Sequence, residues 1–210
     1  MNKRLISLHW LLLFLSGLLL YFLQQSTSIY DMGKNTAIVI VTFVFTLLVQ
    51  LLFIIKNAHD WHYHTSITLL SLMLAYKLFQ LPLVSLWATY AVVCLFGLQL
   101  YLLHTECYKG WGIWTYAFVT FIAIPIYTVS MIFINKPVVT VAFDNDLSLI
   151  NCINPLYTGV GYIVSVMGSK NYMGSFPLVI LLVITLMLAT PLLLQKTRSR
   201  KDVIHEEISK

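Results

Sequence analysis

Charge is scarce in this sequence. Eight Asp and Glu and thirteen Lys and Arg in 210 residues make 10% of the chain charged, against about 25% in a soluble domain. With 59% hydrophobic residues and a mean hydropathy of +0.84, such a chain has too few polar groups to cover a water-facing surface. Most of its surface must face lipid or other helices. Cysteine is scarce too: Cys94, Cys107 and Cys152 lack CxxC spacing, and an odd number is not a complete internal disulfide set. No Gly-x-Ser-x-Gly motif accompanies a histidine, which leaves serine hydrolysis without its usual signature. The apolar runs contain no aspartate, glutamate or arginine, which disfavours a proton-relay carrier, a two-aspartate intramembrane protease and a prenyltransferase with acidic Mg²⁺ motifs. There is no internal repeat and no low-complexity segment. Catalysis is not the expected role.

The basic residues are scattered singly between apolar runs and gathered at the two ends, without a stripe interleaved with aromatics. The net charge of +5 therefore does not point to nucleic acid; it reads as a topology signal and as contacts to anionic headgroups. A span takes roughly 20 apolar residues, and six runs qualify: 5–24, 36–55, 65–81, 83–104, 111–134 and 176–194. The first follows Lys3 and Arg4 like a signal peptide, but it is long and no Ala-x-Ala-like site follows, so a retained span is expected. The third carries Lys77, whose ammonium can snorkel to the interface, and Pro82 separates it from the fourth in a tight hairpin. Residues 156–168, with Gly159 and Gly161, are too few to cross and suit a re-entrant segment or a loop. The expected fold is an all-α integral membrane protein: one domain, a six-helix transmembrane bundle with a polar, frayed tail at 195–210.

With the N-terminus inside, Lys3, Arg4, Lys56, Lys109, Lys196, Arg198, Arg200, Lys201 and Lys210 lie on the cytoplasmic side. Lys34, Lys77, Lys136 and Lys170 lie outside. That asymmetry obeys the positive-inside rule and places both termini in the cytoplasm of a plasma membrane. Trp10, Tyr21, Tyr30, Trp61, Tyr63, Tyr101, Tyr108, Trp111 and Trp114 fall near span ends, where amphipathic rings sit at the headgroups.

This topology gathers all six histidines at the cytoplasmic face. His59, His62 and His64 crowd the segment 56–65 with Asp60; His9 lies about one turn into the first span; His104 closes the fourth, followed by Glu106 and Cys107. Imidazoles with a carboxylate and a thiol nearby are the donor set of a borderline metal such as zinc, so His9, His62, His64 and His104 are the candidate metal ligands. The alternative is that they are interfacial polar residues binding nothing. The segment Lys3-Arg4-Leu5-Ile6-Ser7-Leu8-His9-Trp10 resembles the start of the first helix of bacterial b561-type cytochromes, over about twenty residues. That resemblance implies haem b on His9 with a histidine from a second helix. The second run, 36–55, contains none. Outside, the long segment 135–175 holds Asp144-Asn145-Asp146 and Asn154-Pro155-Leu156-Tyr157, read as a solvated loop or a cation-binding pair. Its position before the last span resembles the layout of ABC-2-type export permeases.

Pro125, Pro177 and Pro191 stand inside or at the edge of apolar runs, where they break backbone hydrogen bonds, and in transporters such breaks line the substrate path. The leading expectation is a transport permease-type subunit working with an ATPase, another membrane subunit or a second copy of itself, without a cofactor. A metal- or haem-binding redox subunit comes next, then an accessory, immunity or assembly protein docked on a larger membrane partner.

Overall fold

A computed structural model of the chain describes residues 3–25, 32–81, 83–105, 108, 111–126, 152–164 and 175–208. The described residues form helices and no strand. In chain order these are α1 (Lys3–Gln25), α2 (Met32–Lys56), a 3₁₀ turn (Ala58–Asp60), α3 (Trp61–Leu78), α4 (Leu83–Leu103), α5 (Trp111–Phe118), α6 (Pro155–Val164) and α7 (Phe176–Ile208). Four stretches, Lys3–Gln24, Lys34–Lys56, Ser85–Leu103 and Phe176–Gln195, are long and apolar enough to cross a membrane.

Local propensity does not explain α2. Ile38, Val39, Ile40, Val41, Thr42 and Val44 are β-branched and would favour a strand in water. In lipid every backbone N–H and C=O must be satisfied within the segment, so an isolated apolar run becomes a helix. The inner face of α2 carries Val39, Phe43, Leu47, Gln50 and Ile54, all buried; Val41, Phe45, Leu48 and Leu52 face outward. The spacing of three and four is the helical period.

α3 and α4 form the expected hairpin, and its geometry is a Schellman cap. The Leu81 N–H donates to the Tyr76 carbonyl (3.1 Å) and the Gln80 N–H to that of Lys77 (3.4 Å). This puts Gln80 at φ 53°, a left-handed conformation that glycine usually fills. Across the hairpin the Tyr76 hydroxyl meets Thr89 Oγ1 at 3.0 Å and accepts from Ser85 Oγ at 3.3 Å. The Thr89 proton is given to the Ser85 carbonyl (2.8 Å), so Tyr76 is the donor to Thr89.

α5 runs on through a π-helical turn, Val119–Ala123, to Ile126. Pro125 accounts for it: proline has no N–H, and its ring clashes with the carbonyl four residues back. The turn widens so that the Ile124 N–H bonds Val119 O. The next donor in that register would be residue 125, which has none, so the Thr120 carbonyl is left over. Asn154 Nδ2 donates to it at 2.9 Å. The same side chain caps α6, its Oδ1 accepting from Leu156 N–H at 2.8 Å, with Pro155 in the first helical position. Pro191 sits inside α7 without ending it.

α6 is ten residues long and packs against α2, α4 and α7. Thr158, Gly159, Tyr162 and Ile163 are buried. Gly159 is required: a Cβ there would fall on the ring of Phe43. A helix too short to cross is thus wedged among the longer ones, as the 156–168 reading allowed.

Two boundaries differ from expectation. His62 and His64, expected in a loop, lie in the first turns of α3, which starts at Trp61 rather than 65. The tail expected to fray at 195 continues as helix to Ile208. The rest of the expected fifth span, 127–134, the Asp144-Asn145-Asp146 cluster and Cys107 lie outside the described residues.

Candidate functional site

Polar side chains concentrate on the inner face of α2 and α3. Thr46, Gln50 and Phe53 follow one another at four and three residues on α2; His64, Thr68 and Ser71 do so on α3. Each spacing keeps side chains on one helical face, and the two faces meet. His64 and Gln50 are fully buried, and Thr46, Thr65, Thr68 and Ser71 nearly so. α1 adds His9, which is 4% exposed.

His9 and His64 meet through their Nδ1 atoms at 2.9 Å. Their rings stack with centroids 5.2 Å apart, and both stack on Phe53, at 4.5 and 5.0 Å. A hydrogen bond between two imidazole nitrogens needs one donor and one acceptor, so the pair holds one proton between the two Nδ1 atoms. Asp60 is buried in the 3₁₀ turn before α3, where its Oδ2 accepts from Asn57 Nδ2.

Beside the pair, Gln50 Nε2 donates to Thr65 Oγ1 at 2.8 Å. Gly97 of α4 makes room, since a Cβ there would meet both side chains. Among the described residues three buried side-chain atoms have no hydrogen-bond partner: Asn35 Oδ1, Gln50 Oε1 and His64 Nε2. Two of the three belong to this cluster. Next to His9 lies a cavity of about 20 Å³ lined by Ser16, Thr46, Thr68 and Ser71 together with apolar side chains. That is room for one water-sized group.

A second polar knot ties α4, α5 and α7. Gln99 Nε2 donates to Thr185 Oγ1 at 2.9 Å and to the Leu181 carbonyl at 3.2 Å, and the Tyr116 hydroxyl donates to Gln99 Oε1. Between helices whose outsides are as apolar as lipid, such bonds supply cohesion that burial alone does not.

The four expected ligands separate. His9 and His64 come together. His62, two residues from His64, points about 200° away on a helix of 100° per residue; it lies exposed against Tyr63 and Trp61. His104 is exposed, and its Nε2 meets the Ile55 carbonyl at 3.2 Å. There it serves an unsatisfied carbonyl in the last turn of α2. His59 shares a surface recess with His104, Lys56 and Gln195. Among the described residues no three His, Cys, Asp or Glu side chains come close enough to hold a metal. Sequence reasoning passed over Gln50 and Gln99, although each is the lone amide within its apolar run, and a polar side chain at membrane depth is itself a signal.

Helices fit to cross a membrane, enclosing buried amides, hydroxyls and imidazoles, define a helical membrane protein with a polar interior. Comparison with known proteins matched no family model, no curated protein and no solved structure.

Proposed function

We propose that this protein is a transport permease-type subunit of the plasma membrane, with six spans and both termini cytoplasmic. α1, α2, α3, α4, α5 and α7 are the spans, and α6 is a re-entrant helix entering from the outside. α3, eighteen residues long, covers about 27 Å at 1.5 Å per residue, close to the ~30 Å hydrocarbon core. The nine-against-four placement of basic residues sets the orientation.

One observation carries the transport reading. Gln50 Oε1 and His64 Nε2 are buried without a partner in a cluster surrounded by membrane-facing helices. An unsatisfied buried polar atom costs about 1–3 kcal/mol. A static bundle gains nothing from two of them, whereas a path for a polar solute needs groups that bond the solute in passing. With α1 and α7 apolar on their outer faces (Phe14, Leu19, Phe22, Leu186, Met187, Leu193), lipid and a partner subunit or second copy are the expected neighbours.

The redox alternative draws on His9 and His64 and is less well supported. A zinc ion with Zn–N bonds of about 2.0–2.1 Å needs four ligands, and among the described residues no three His, Cys, Asp or Glu side chains come close enough to supply them.

Purification from native membranes in mild detergent tests the reading. A stoichiometric nucleotide-binding or membrane subunit, or a stable oligomer, is expected. A lone monomer that retains its fold counts against it. Reporter fusions after Asn57 and Gln80 should report cytoplasm and exterior, and the reverse pattern would overturn the orientation.

A further inference from the structure

Three of the four stretches able to cross a membrane end together. α2 reaches Lys56, α4 reaches Leu103 and the apolar part of α7 reaches Gln195, and a recess of about 520 Å³ opens between these ends. That is the volume of a small-molecule site, about 300–1,000 Å³. The ends of membrane-crossing helices lie at the depth of the lipid headgroups, so the recess stands at the boundary between hydrocarbon and water.

Its lining carries charge of one sign. Lys56, Asn57, His59, His104, Thr105 and Gln195 supply the polar groups, and no Asp or Glu is among the lining residues. Asp60, near in sequence, is buried and accepts from the Asn57 amide. Two helix C-termini meet here, and their carbonyls would oppose an anion. Those carbonyls are served: Asn57 N–H donates to Phe53 O at 2.9 Å, His104 Nε2 to Ile55 O at 3.2 Å and Thr105 Oγ1 to Leu102 O at 2.6 Å. The ammonium of Lys56 then decides the sign of the ligand. A zwitterionic lipid head would bring its own ammonium and find no carboxylate. A singly anionic phosphodiester with a hydroxylated head meets Lys56 through its phosphate and the amides, imidazole and hydroxyl through its own hydroxyls.

α2 also distinguishes a lipid from a soluble phosphate. Its exposed Phe45, Leu48 and Leu52 follow one another at three and four residues on one face, and Lys56, four residues beyond Leu52, ends the stripe. From Phe45 to Lys56 the rise is about 16 Å at 1.5 Å per residue, close to half of a ~30 Å hydrocarbon core and so to one leaflet. An apolar track of that length leading to a cation matches an acyl chain below a phosphate.

We propose that this recess binds one anionic phospholipid of the phosphatidylglycerol type, its phosphate on Lys56 and an acyl chain along Leu52, Leu48 and Phe45. The site needs only that α2, α4 and α7 cross the membrane, and it stands apart from the transport reading. The proposed orientation puts it in the cytoplasmic leaflet, whose surface is negative. The test is native mass spectrometry of delipidated protein in detergent, titrated with defined lipids. One phosphatidylglycerol per chain is expected, held about tenfold better than phosphatidylcholine with the same acyl chains, the low end of what one hydrogen bond to a charged group supplies. Lys56→Gln should reduce phosphatidylglycerol to the level of phosphatidylcholine and Lys56→Arg should keep the preference, in proteins that elute and melt like the parent. Lys77→Gln, at the far end of α3, should leave the preference unchanged. Glycerophosphoglycerol, the same head without chains, should not bind at the same concentration. Equal retention of the two lipids, or equal losses in Lys56→Gln and Lys77→Gln, would overturn the site in favour of diffuse attraction. Glycerophosphoglycerol binding as tightly as the lipid would overturn the lipid assignment and leave a site for a soluble phosphodiester.

Discussion

Asn154 joins two otherwise separate consequences of proline, and its removal has a calculable effect. Asn154→Ala strips the donor from the Thr120 carbonyl, which Pro125 leaves without a backbone N–H. An orphaned buried carbonyl costs about 1–3 kcal/mol. The substitution also removes the α6 cap at Leu156, worth about 1 kcal/mol. The expected loss is about 2–4 kcal/mol, more than a typical interhelical hydrogen bond in a membrane protein, because this carbonyl has no alternative donor. The two parts separate in a double-mutant cycle. Pro125→Ala restores an N–H that can serve Thr120, so in that background Asn154→Ala should cost only the cap, about 1 kcal/mol. Reversible denaturation in mixed detergent micelles, followed by tryptophan fluorescence, measures all four corners. An equal cost of Asn154→Ala in both backgrounds would refute the link between the π-turn and α6.

Other expectations follow from single contacts. Gln80→Gly should stabilise the α3–α4 hairpin by about 1 kcal/mol, since Gln80 holds a left-handed conformation that costs an L-residue roughly 1–2 kcal/mol; an unchanged or lowered melting temperature would contradict this. Gly159→Ala places a methyl on the Phe43 ring, and overpacking of about 1–3 kcal/mol should outweigh the helix-propensity gain of about 1 kcal/mol. Phe43→Leu should rescue it, and failure to do so would place the clash elsewhere. His9→Phe keeps a ring on Phe53 but removes the hydrogen bond to His64, at an expected cost of about 1 kcal/mol in the same denaturation assay. An oxidised-minus-reduced spectrum with metal analysis should show no Soret band and no stoichiometric zinc or iron; either signal, lost in His64→Ala, would favour the redox reading.

Of the six expected spans, the four found long and apolar enough to cross a membrane were legible because hydropathy and length are local properties of the chain. The α3–α4 turn was legible at Pro82, though not the left-handed Gln80 before it. The α5 π-turn was half legible: Pro125 announces a defect, but only Asn154, 34 positions on from the Thr120 carbonyl it serves, shows how it is tolerated. The histidines illustrate the limit most clearly. Proximity in sequence grouped His62 with His64, yet a helix of 100° per residue sends them to opposite sides. The partner of His64 is His9, 55 positions away on α1, and no local pattern encodes that packing. Gln50 and Gln99 were readable in principle as lone amides in apolar runs, but their partners, Thr65 and Thr185, lie on other helices.

The claim that the α1–α2–α3 polar cluster is a path for a polar solute is tested most directly by thiol accessibility. In a cysteine-free background, Thr46→Cys, Thr68→Cys and Ser71→Cys would be exposed in intact membranes, with any native partner present, to a charged, membrane-impermeant methanethiosulfonate. Leu47→Cys and Leu72→Cys, at fully buried apolar positions, serve as controls. Modification of the three polar positions from at least one side, with the two controls protected, is the expected result. Protection of all five from both sides would mean that water-borne solutes do not reach the cluster, and the transport reading would give way to that of an accessory membrane protein.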